Sequence, residues 1–329
     1  MELFDELKAQ IEGKNIRIAL PEATEPRVLG AAARLQKEGI LVPVLLGKPE
    51  DIKSVAVENN FDIDGIEIID IDTYPDFDEM VAAFVERRKG KVSEEEAREI
   101  LKNGNFFGTM LTYMGKVDGM VSGAVHSTAD TVRPALQIIK TRPGVPRTSG
   151  SFLMLRGDTR YLFADCAINI ELDAEGLAGV AVESARMARM FGIDPKIAML
   201  SLSTKGSAKH DLITKVQDAT RIAKELAPDL PIDGELQFDA AVSERVAKQK
   251  APGSEVAGFA NVFIFPSVDA GNIGYKIAQR LGGFEALGPI IQGLNKPITD
   301  LSRGCNEEDV YKLSIITACQ SLVLSLIHI

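Results

Sequence analysis

The chain has 329 residues, 45% of them hydrophobic, and a formal net charge of −10 at pH 7. This length and composition are typical of a well-packed soluble protein of about two domains, with one large α/β domain as the alternative. The negative charge argues against general nucleic-acid binding and requires a local basic cluster wherever an anion binds. No apolar run reaches the roughly 18 residues that span a bilayer, and the N-terminus is acidic. We therefore expect a cytoplasmic protein with neither a membrane nor a nucleic-acid partner.

Cysteine and histidine are too sparse for the common metal and disulfide patterns. The chain has three of each, and their wide spacing matches neither a disulfide framework nor a zinc site. We therefore predict no bound metal. The residues concerned are Cys166, Cys305, Cys319, His126, His210 and His328.

In chain order, apolar β-rich runs first alternate with amphipathic helical stretches. This alternation predicts parallel strands joined by crossover helices, and hence an α/β fold. The predicted strands are 16–20, 41–46, 66–70 and 120–122, and the predicted helices are 25–37, 76–88, 93–102 and 128–139.

A segment rich in proline and glycine, 141–146, ends this series, and a second α/β series follows it. A further break falls at Lys296-Pro297. The final predicted helix, from 306 to about 324, is too short a tail to fold alone, so we expect it to dock on an existing core. The second series has predicted strands at 160–164, 197–201 and 262–265, and predicted helices at 174–191, 209–226, 235–248 and 270–281.

These breaks predict a discontinuous first domain, 1–145 plus 297–329, into which a second domain, 146–296, is inserted. Two crossings between domains would create a cleft, which is a usual place for ligands. The mostly apolar tail 325–329 has no obvious stop signal, and a frayed end or an addition to the native sequence are both open interpretations.

A short segment near the C-terminus gathers residues suited to binding an anion. Ser302, Arg303 and Asp309 lie within one stretch at the predicted start of the last helix. A helix N-terminus presents free N–H groups and a partial positive charge, and arginine can grip phosphate with two donors. Asp309 stands three residues after Asn306, as in a capping box, so a purely structural role for Asp309 remains open.

Cys305 in the same segment has two interpretations. The helix N-terminus would lower the pKa of its thiol and favour a nucleophile. However, no histidine lies close in sequence to serve as its base. A small packing residue is therefore the favoured interpretation.

A hydroxyl-rich loop before the predicted helix 128–139 is the second candidate. Ser127 or Thr128 can cap this helix, and either hydroxyl could bind an anion. Arg133 follows about one turn into the helix and would point back toward the loop. An ordinary surface arginine is the alternative, but the pairing with a hydroxyl-rich helix start favours a binding role.

Other basic segments give weaker signals. Lys276 and Arg280 would share one helix face and hold a polyphosphate, or they would form a solvated basic face. Arg87 could likewise bind a phosphate or belong to a solvated basic surface, and for Arg87 the solvated interpretation is favoured. The loop 201–208 has the serine, lysine and glycine of a phosphate-binding loop, but neither a Walker nor a dinucleotide pattern occurs in the chain.

Three segments, taken together, resemble the phosphate acetyltransferases, or phosphotransacetylases. They are STADTVRPALQ at 127–137, DAGNIGYK at 269–276 and KPITDLSRGC at 296–305. The length is similar to that of the short, stand-alone form of the family. The resemblance implies reversible transfer of an acetyl group between CoA and inorganic phosphate. It also implies two α/β/α domains with a cleft between them, as in isocitrate and isopropylmalate dehydrogenases, and a homodimer.

The resemblance further implies which residues act. The family's catalytic serine, arginine and aspartate match Ser302, Arg303 and Asp309, with Asp309 as general base for direct attack by the CoA thiolate. CoA and acetyl-CoA would be substrates, with no covalently bound cofactor and with stimulation by K+ or NH4+. Together with the candidates above, the substrate-binding set is Arg133, Arg87 (on a less certain alignment), Ser127, Thr128, Lys276, Arg280 and Cys305.

Three alternatives remain. A phosphate butyryltransferase would run the same reaction on a longer acyl group, and one methylene is worth only about 1–3 kcal/mol. A metal-dependent decarboxylating dehydrogenase on the related fold would need a nucleotide site and paired metal-binding aspartates, which the sequence does not indicate. An acetyl-CoA-sensing regulatory module would not need an intact set of Ser302, Arg303 and Asp309.

Overall fold

The computed structural model describes residues 3–327, with side chains from 3 to 325. Most of the predicted tail 325–329 therefore lies outside the described side chains. The chain divides into two compact units. Unit 1 takes in the described residues up to Lys140 and from Leu294 onward, and unit 2 is Thr141–Gly293.

Unit 1 is built on a fully parallel sheet. Its five strands are hydrogen-bonded in the order β11-β4-β1-β2-β3. The four strands predicted in this part of the chain are confirmed, whereas β11, only three residues long, follows the proline at the predicted break and was missed. Numbered along the chain, the strands are β1 (Arg17–Leu20), β2 (Val42–Leu46), β3 (Glu67–Ile69), β4 (Gly119–Ser122) and β11 (Ile298–Asp300).

Helices cover both faces of this sheet. A Cβ built on Gly119 would lie 2.9 Å from Thr317 Cγ2, whereas the side chain of the next residue, Met120, meets the helix that contains Gly108. Successive strand residues point to opposite faces, so the two helices lie on opposite sides. The helices of unit 1 are α1 (Leu3–Ile11), α2 (Pro26–Glu38), α3 (Pro49–Asn59), α4 (Phe77–Arg87), α5 (Glu94–Ile100), α6 (Gly104–Tyr113), α7 (Thr128–Pro134) and α13 (Glu307–Ile327).

The last helix, α13, docks on the core of unit 1, as predicted. It packs against α1, α2 and the three strands β1, β4 and β11, and it buries Val310, Tyr311, Ile315 and Ile316. The helix predicted over 128–139 is α7 followed directly by a π-helical segment, Ala135–Ile139. None of the described helices is both long and apolar enough to cross a bilayer.

Unit 2 has a mixed sheet, in contrast to the parallel sheet of unit 1. Its order is β10-β5-β6-β9-β7-β8. The pairs β10–β5 and β5–β6 are antiparallel, and the others are parallel. The strands are β5 (Ser149–Arg156), β6 (Thr159–Ala164), β7 (Ile197–Leu200), β8 (Ile232–Leu236), β9 (Val262–Ile264) and β10 (Glu285–Gln292).

The predicted helix over 235–248 is wrong at its start. Glu235 lies in β8, which pairs with β7, and two short helices follow instead of one. The other predicted helices of this unit are confirmed within two residues at each end. The helices are α8 (Ala174–Met190), α9 (Asp211–Leu226), α10 (Phe238–Val242), α11 (Glu244–Lys250) and α12 (Val268–Arg280).

Gly123, directly after β4, is a position where only glycine fits. Its φ is +115°, and an added Cβ would lie 2.5 Å from Asp300 Oδ1 and 2.7 Å from the Leu301 nitrogen. We expect Gly123→Ala to lower the free energy of unfolding by about 2 kcal/mol or more, because both strain and overlap are added. Gly13→Ala is the matched control, since Gly13 has φ +71° and open space. Thermal denaturation that shifts equally for both variants would contradict the steric explanation.

Candidate active site

Three loops meet at one edge of the sheet in unit 1. Strands β11, β4 and β1 are adjacent and parallel, so their carboxyl ends lie together. In open parallel sheets this edge is where ligands bind. The loops that follow the three strands are 21–25, 123–127 and 301–306. They contain several of the predicted site residues.

The loop after β11 forms a tight turn that presents Ser302 and Arg303. The Cys305 nitrogen donates to the Ser302 carbonyl at 2.8 Å, and the Gly304 nitrogen donates to Ser302 Oγ at 3.2 Å. Both Ser302 and Arg303 are exposed. Among the described residues, the Arg303 guanidinium makes no hydrogen bond or ion pair, which leaves its donors available to an anion.

Asp309 closes the capping box that the sequence predicted. The Asn306 nitrogen donates to Asp309 Oδ2 at 2.9 Å, and the Asp309 nitrogen donates to Asn306 Oδ1 at 2.9 Å. Within residues 3–327, Asp309 Oδ1 accepts no hydrogen bond. The half-buried carboxylate is therefore held in place by one oxygen and keeps the other free for a proton.

The loop after β4 is folded around a buried carboxylate from the loop after β1. Glu22, 4% exposed, accepts hydrogen bonds from four successive backbone nitrogens, those of Gly123, Ala124, Val125 and His126, at 2.7–3.1 Å. The His126 ring nitrogen Nδ1 also lies 2.6 Å from Glu22 Oε1. These backbone donors would otherwise suit an anionic ligand, and here the protein supplies the anion itself.

Helix α7 begins with the predicted hydroxyl cap. Ser127 Oγ donates to Asp130 Oδ2 at 2.7 Å, and the Asp130 nitrogen donates back to Ser127 Oγ at 3.3 Å. The hydrogen bond from Ser127 lowers the pKa of the Asp130 carboxyl. The Ser127 hydroxyl is therefore engaged within the protein. Thr128 and Arg133 are exposed, and no described residue forms a hydrogen bond or ion pair with the Arg133 side chain.

Asp300, the last residue of β11, carries a buried carboxyl with no partner. It is fully buried, and neither of its carboxyl oxygens finds a hydrogen bond among the described residues, nor does the Thr131 hydroxyl. Burial raises the pKa of Asp300 to about 6. The hydroxyls of Thr128 and Thr131, near Asp300 but outside hydrogen-bond geometry, oppose that rise, and the charge of Glu22 adds to it.

Cys305 is buried behind the turn. Burial raises the pKa of its thiol to about 11, although the Arg27 guanidinium opposes the shift. The sulfur lies 3.7 Å from Arg27 Nη1. The expected lowering of the thiol pKa by the helix end is therefore wrong, because burial is the larger effect, and the geometry favours the packing interpretation of Cys305.

Arg87 lies elsewhere in unit 1. Its Nε donates to the Ile138 carbonyl at 2.6 Å and its Nη2 to the Ile139 carbonyl at 3.1 Å, so it ends the π-helical segment. It lines a cavity of about 580 Å³ with Lys296 and Ser321. At 1.5 Å rise per residue, Ser321 is about 18 Å along α13 from Asp309. The structure thus does not bring Arg87 together with Ser302.

Lys276 and Arg280 lie in unit 2, on the exposed side of α12. The Lys276 ammonium donates to Asn272 Oδ1 at 2.9 Å. The spacing of four residues places both basic side chains on one face, as predicted.

Two loops of unit 2 are also folded around carboxylates of the protein itself. In the weak phosphate-loop candidate, Glu235 Oε1 accepts from Ser203 Oγ at 2.9 Å and from the Gly206 nitrogen at 2.7 Å. Asp165 accepts hydrogen bonds from the backbone nitrogens of Gly150, Ala167, Ile168 and Asn169. Across residues 3–327, no group of three or more His, Cys, Asp or Glu side chains is placed to hold a metal ion.

The sequence interpretation missed Glu22, Arg27 and Asp300. Each lies in or beside a loop at the same sheet edge, yet none belongs to a local motif. The available signal for Glu22 was its position two residues after the predicted strand 16–20, at the end where parallel sheets place functional side chains. Asp300 had no such signal, because its strand β11 was not predicted.

Comparison with known proteins places this geometry in a family. A family model described as phosphate acetyl/butaryl transferase matches residues 2–318. A phosphate acetyltransferase of Staphylococcus epidermidis is 60% identical over 326 residues, which cover 98% of this chain and 99% of that protein. A solved phosphotransacetylase from Streptococcus pyogenes is 57% identical, with a TM-score of 0.95 and 98% of each chain covered.

The same fold also occurs in a protein of much lower sequence identity. A proposed 4-hydroxythreonine-4-phosphate dehydrogenase from Salmonella typhimurium shares it at 14% identity, with a TM-score of 0.54 over 93% of this chain and 99% of that one. The fold by itself does not define an activity, but the 60% identity to a phosphate acetyltransferase over nearly the whole chain shows an acyltransferase. The chain belongs to the phosphate acetyl/butaryl transferase family. Its relatives support phosphate acetyltransferase function, and the predicted family and α/β fold class are confirmed.

Because the pKa of Asp300 is raised in the folded state, the free energy of unfolding should depend on pH. The folded-state pKa of about 6 exceeds the ordinary value of 3.8. The folded state therefore loses stability as the pH rises from about 4 to about 6, by at most roughly 3 kcal/mol. We expect Asp300→Asn to be more stable than the wild type at pH 8, and little changed at pH 4, in urea unfolding. Asp62→Asn, at an exposed position, is the control. A difference between wild type and Asp300→Asn that does not vary with pH would contradict the assignment.

Proposed function

We propose that the chain catalyses reversible acetyl transfer, acetyl-CoA + phosphate = CoA + acetyl phosphate, by direct attack of the CoA thiolate. The observation that carries this proposal is the grouping of Ser302, Arg303 and Asp309 in one turn and helix start. A hydroxyl donor, an unpaired guanidinium and a carboxylate with a free oxygen lie there together. Acyl phosphate chemistry requires these three kinds of group.

Asp309 is the proposed general base. In the direction of acetyl-CoA synthesis, Oδ1 of Asp309 takes the thiol proton as sulfur attacks the carbonyl carbon of acetyl phosphate. A free carboxylate is a weaker base than a thiolate by about 4.6 pKa units, or roughly 6 kcal/mol. Proton transfer is therefore coupled to attack, and the positive end of α13 together with Arg303 favours the developing thiolate.

Ser302 is the proposed oxyanion donor. As the C–S bond forms, the carbonyl oxygen gains negative charge, and a hydroxyl positioned to donate to that charge is worth about 100- to 1,000-fold in kcat. The exposed Oγ already accepts from the Gly304 nitrogen, which restrains it while leaving its proton available. Collapse of the tetrahedral intermediate then breaks the bond between carbon and phosphate oxygen, and the proton held by Asp309 passes to the departing phosphate, which leaves as HPO4²⁻.

Arg303 and Arg133 are the proposed phosphate ligands. Both guanidinium groups are without ion-pair partners among the described residues, and α7 packs beside β11 in the same unit. Two arginines can hold the doubly charged phosphate as it leaves, against the net charge of −10 on the whole chain.

The other predicted ligands complete the proposal. Lys276 and Arg280 would bind the phosphates of CoA, and Thr128 would donate to an anion. Ser127, engaged with Asp130, would act by holding the start of α7, while Arg87 stays a prediction from the resemblance. A homodimer, two domains with the predicted limits, and stimulation by K+ or NH4+ belong to the same proposal.

The acyl range is the direct test of this function. We expect CoA-dependent thioester formation from acetyl phosphate to exceed that from butyryl phosphate, because the 60%-identical relative is a phosphate acetyltransferase. Rates of thioester formation, measured with each acyl phosphate in turn, separate the possibilities. Faster turnover with butyryl phosphate would favour the butyryltransferase, and binding of acetyl-CoA without turnover would favour a sensor.

Asp309 and Cys305 distinguish the direct mechanism from an acyl-cysteine intermediate. We expect Asp309→Asn to lower kcat by about 100-fold or more with a small change in the KM for phosphate, because a general base is lost. Cys305→Ala should retain substantial turnover, since a thiol with a pKa of about 11 is a poor nucleophile at neutral pH. Measurement of kcat and KM for both folded variants distinguishes direct transfer from an acyl-cysteine intermediate. An inactive Cys305→Ala enzyme, with acetyl trapped on Cys305 in the wild type, would overturn direct transfer.

A further inference from the structure

One arginine outside the predicted site connects the three loops at the sheet edge. Arg27, at the start of α2, donates from Nη1 to the carbonyl of Arg303 at 3.0 Å and to that of Cys305 at 2.8 Å. Its Nη2 donates to the Ala124 carbonyl at 3.1 Å. Its Nε is held by Glu25 Oε1 at 2.7 Å. All three guanidinium nitrogens are therefore used.

The acceptors explain why this residue is an arginine. Three of the four oxygens are backbone carbonyls, on two loops that follow different strands. A planar guanidinium presents several N–H groups in fixed directions, so one side chain can hold acceptors on two loops at once. A lysine ammonium is a single point donor on a flexible stem and cannot reproduce that geometry.

We propose that Arg27 is a positioning residue for the reaction, which acts through Ser302 by fixing the turn after β11 against the loop after β4. The inference rests on the proposed function of that turn. The carbonyls of Arg303 and Cys305 flank Gly304 and share one nitrogen of Arg27, so the turn is anchored on both sides of its glycine. The opposite terminal nitrogen reaches Ala124, in the loop that leads to Ser127.

Two other arginines of unit 1 make contacts that do not involve the loops at this sheet edge in the same way. Arg34, on the same helix, pairs with the carboxylates of Glu38 and Glu308. Arg17, at the amino end of β1, bonds the Lys116 carbonyl at 3.0 Å and Glu67 at 2.7 Å. Arg17 thus also links separate segments, through a carbonyl and a carboxylate. It does so at the amino end of β1, whereas the candidate site lies at the carboxyl ends of the strands. Arg17 therefore serves as the matched control.

The experiment is a double-mutant cycle on the full chain. We expect Arg27→Lys to lower kcat by about 100-fold, since displacement of a reacting group by about 1 Å has that effect. In a Ser302→Ala background the same substitution should cost only a few-fold, because the group that it misplaces is already gone. Arg17→Lys should leave kcat unchanged in both backgrounds. Thermal denaturation of each variant checks that the enzyme is folded.

Each outcome decides. If folded Arg27→Lys kept wild-type kcat, the inference would be overturned. A low kcat in Ser302→Ala would still support the proposed function in that case. A loss in Arg27→Lys that persists undiminished in the Ser302→Ala background would also overturn it, since Arg27 would then not act through Ser302. An equal loss in Arg17→Lys would reduce Arg27 to a general stabilising residue. Wild-type kcat in Ser302→Ala is a separate failure, of the proposed role of Ser302.

Discussion

Parallel pairing of β11 with β4 is the constraint on which the candidate site depends. Met120 of β4 faces Ile298, and Ser122 faces Asp300, so a segment from near the end of the chain enters a sheet otherwise formed by residues 17–122. The same register brings the end of β11 beside the loop after β4, and α13 then runs back over β1 and β4. Without that pairing, the turn after β11 would have no neighbouring loops to act with.

Local motifs were predictable from the sequence, and contacts between distant loops were not. The box formed by Asn306 and Asp309 needs only residues three apart, and its geometry matches the expectation. Glu22 instead accepts a hydrogen bond from the Gly123 nitrogen, 101 residues away. Neither segment contains a sequence pattern that predicts contact with the other. Glu235 misled the helix prediction for a similar reason. It suits a helix by composition, but its strand is set by pairing with β7.

Asp300 shows that this edge of the sheet is not optimised for stability. A carboxyl with no hydrogen-bond partner among the described residues is held in the interior two residues before the exposed turn begins at Ser302. Natural proteins depart from local rules mainly at functional sites, where stability is given up for another property. The position of Asp300, at the end of β11, beside the end of β4 and near the start of α7, fits that pattern.

The carboxylates of Glu22, Asp165 and Glu235 have a thermodynamic consequence. Each one satisfies the backbone donors of a loop from within the protein. The conformational entropy lost in ordering these loops is therefore part of the free energy of folding. Binding of an anion does not have to order a loop of this kind. Binding energy that would otherwise be consumed in ordering the chain is conserved for the reacting groups. In the proposed function, discrimination among anions would then fall to a few exposed side chains, chiefly arginines, instead of to the backbone.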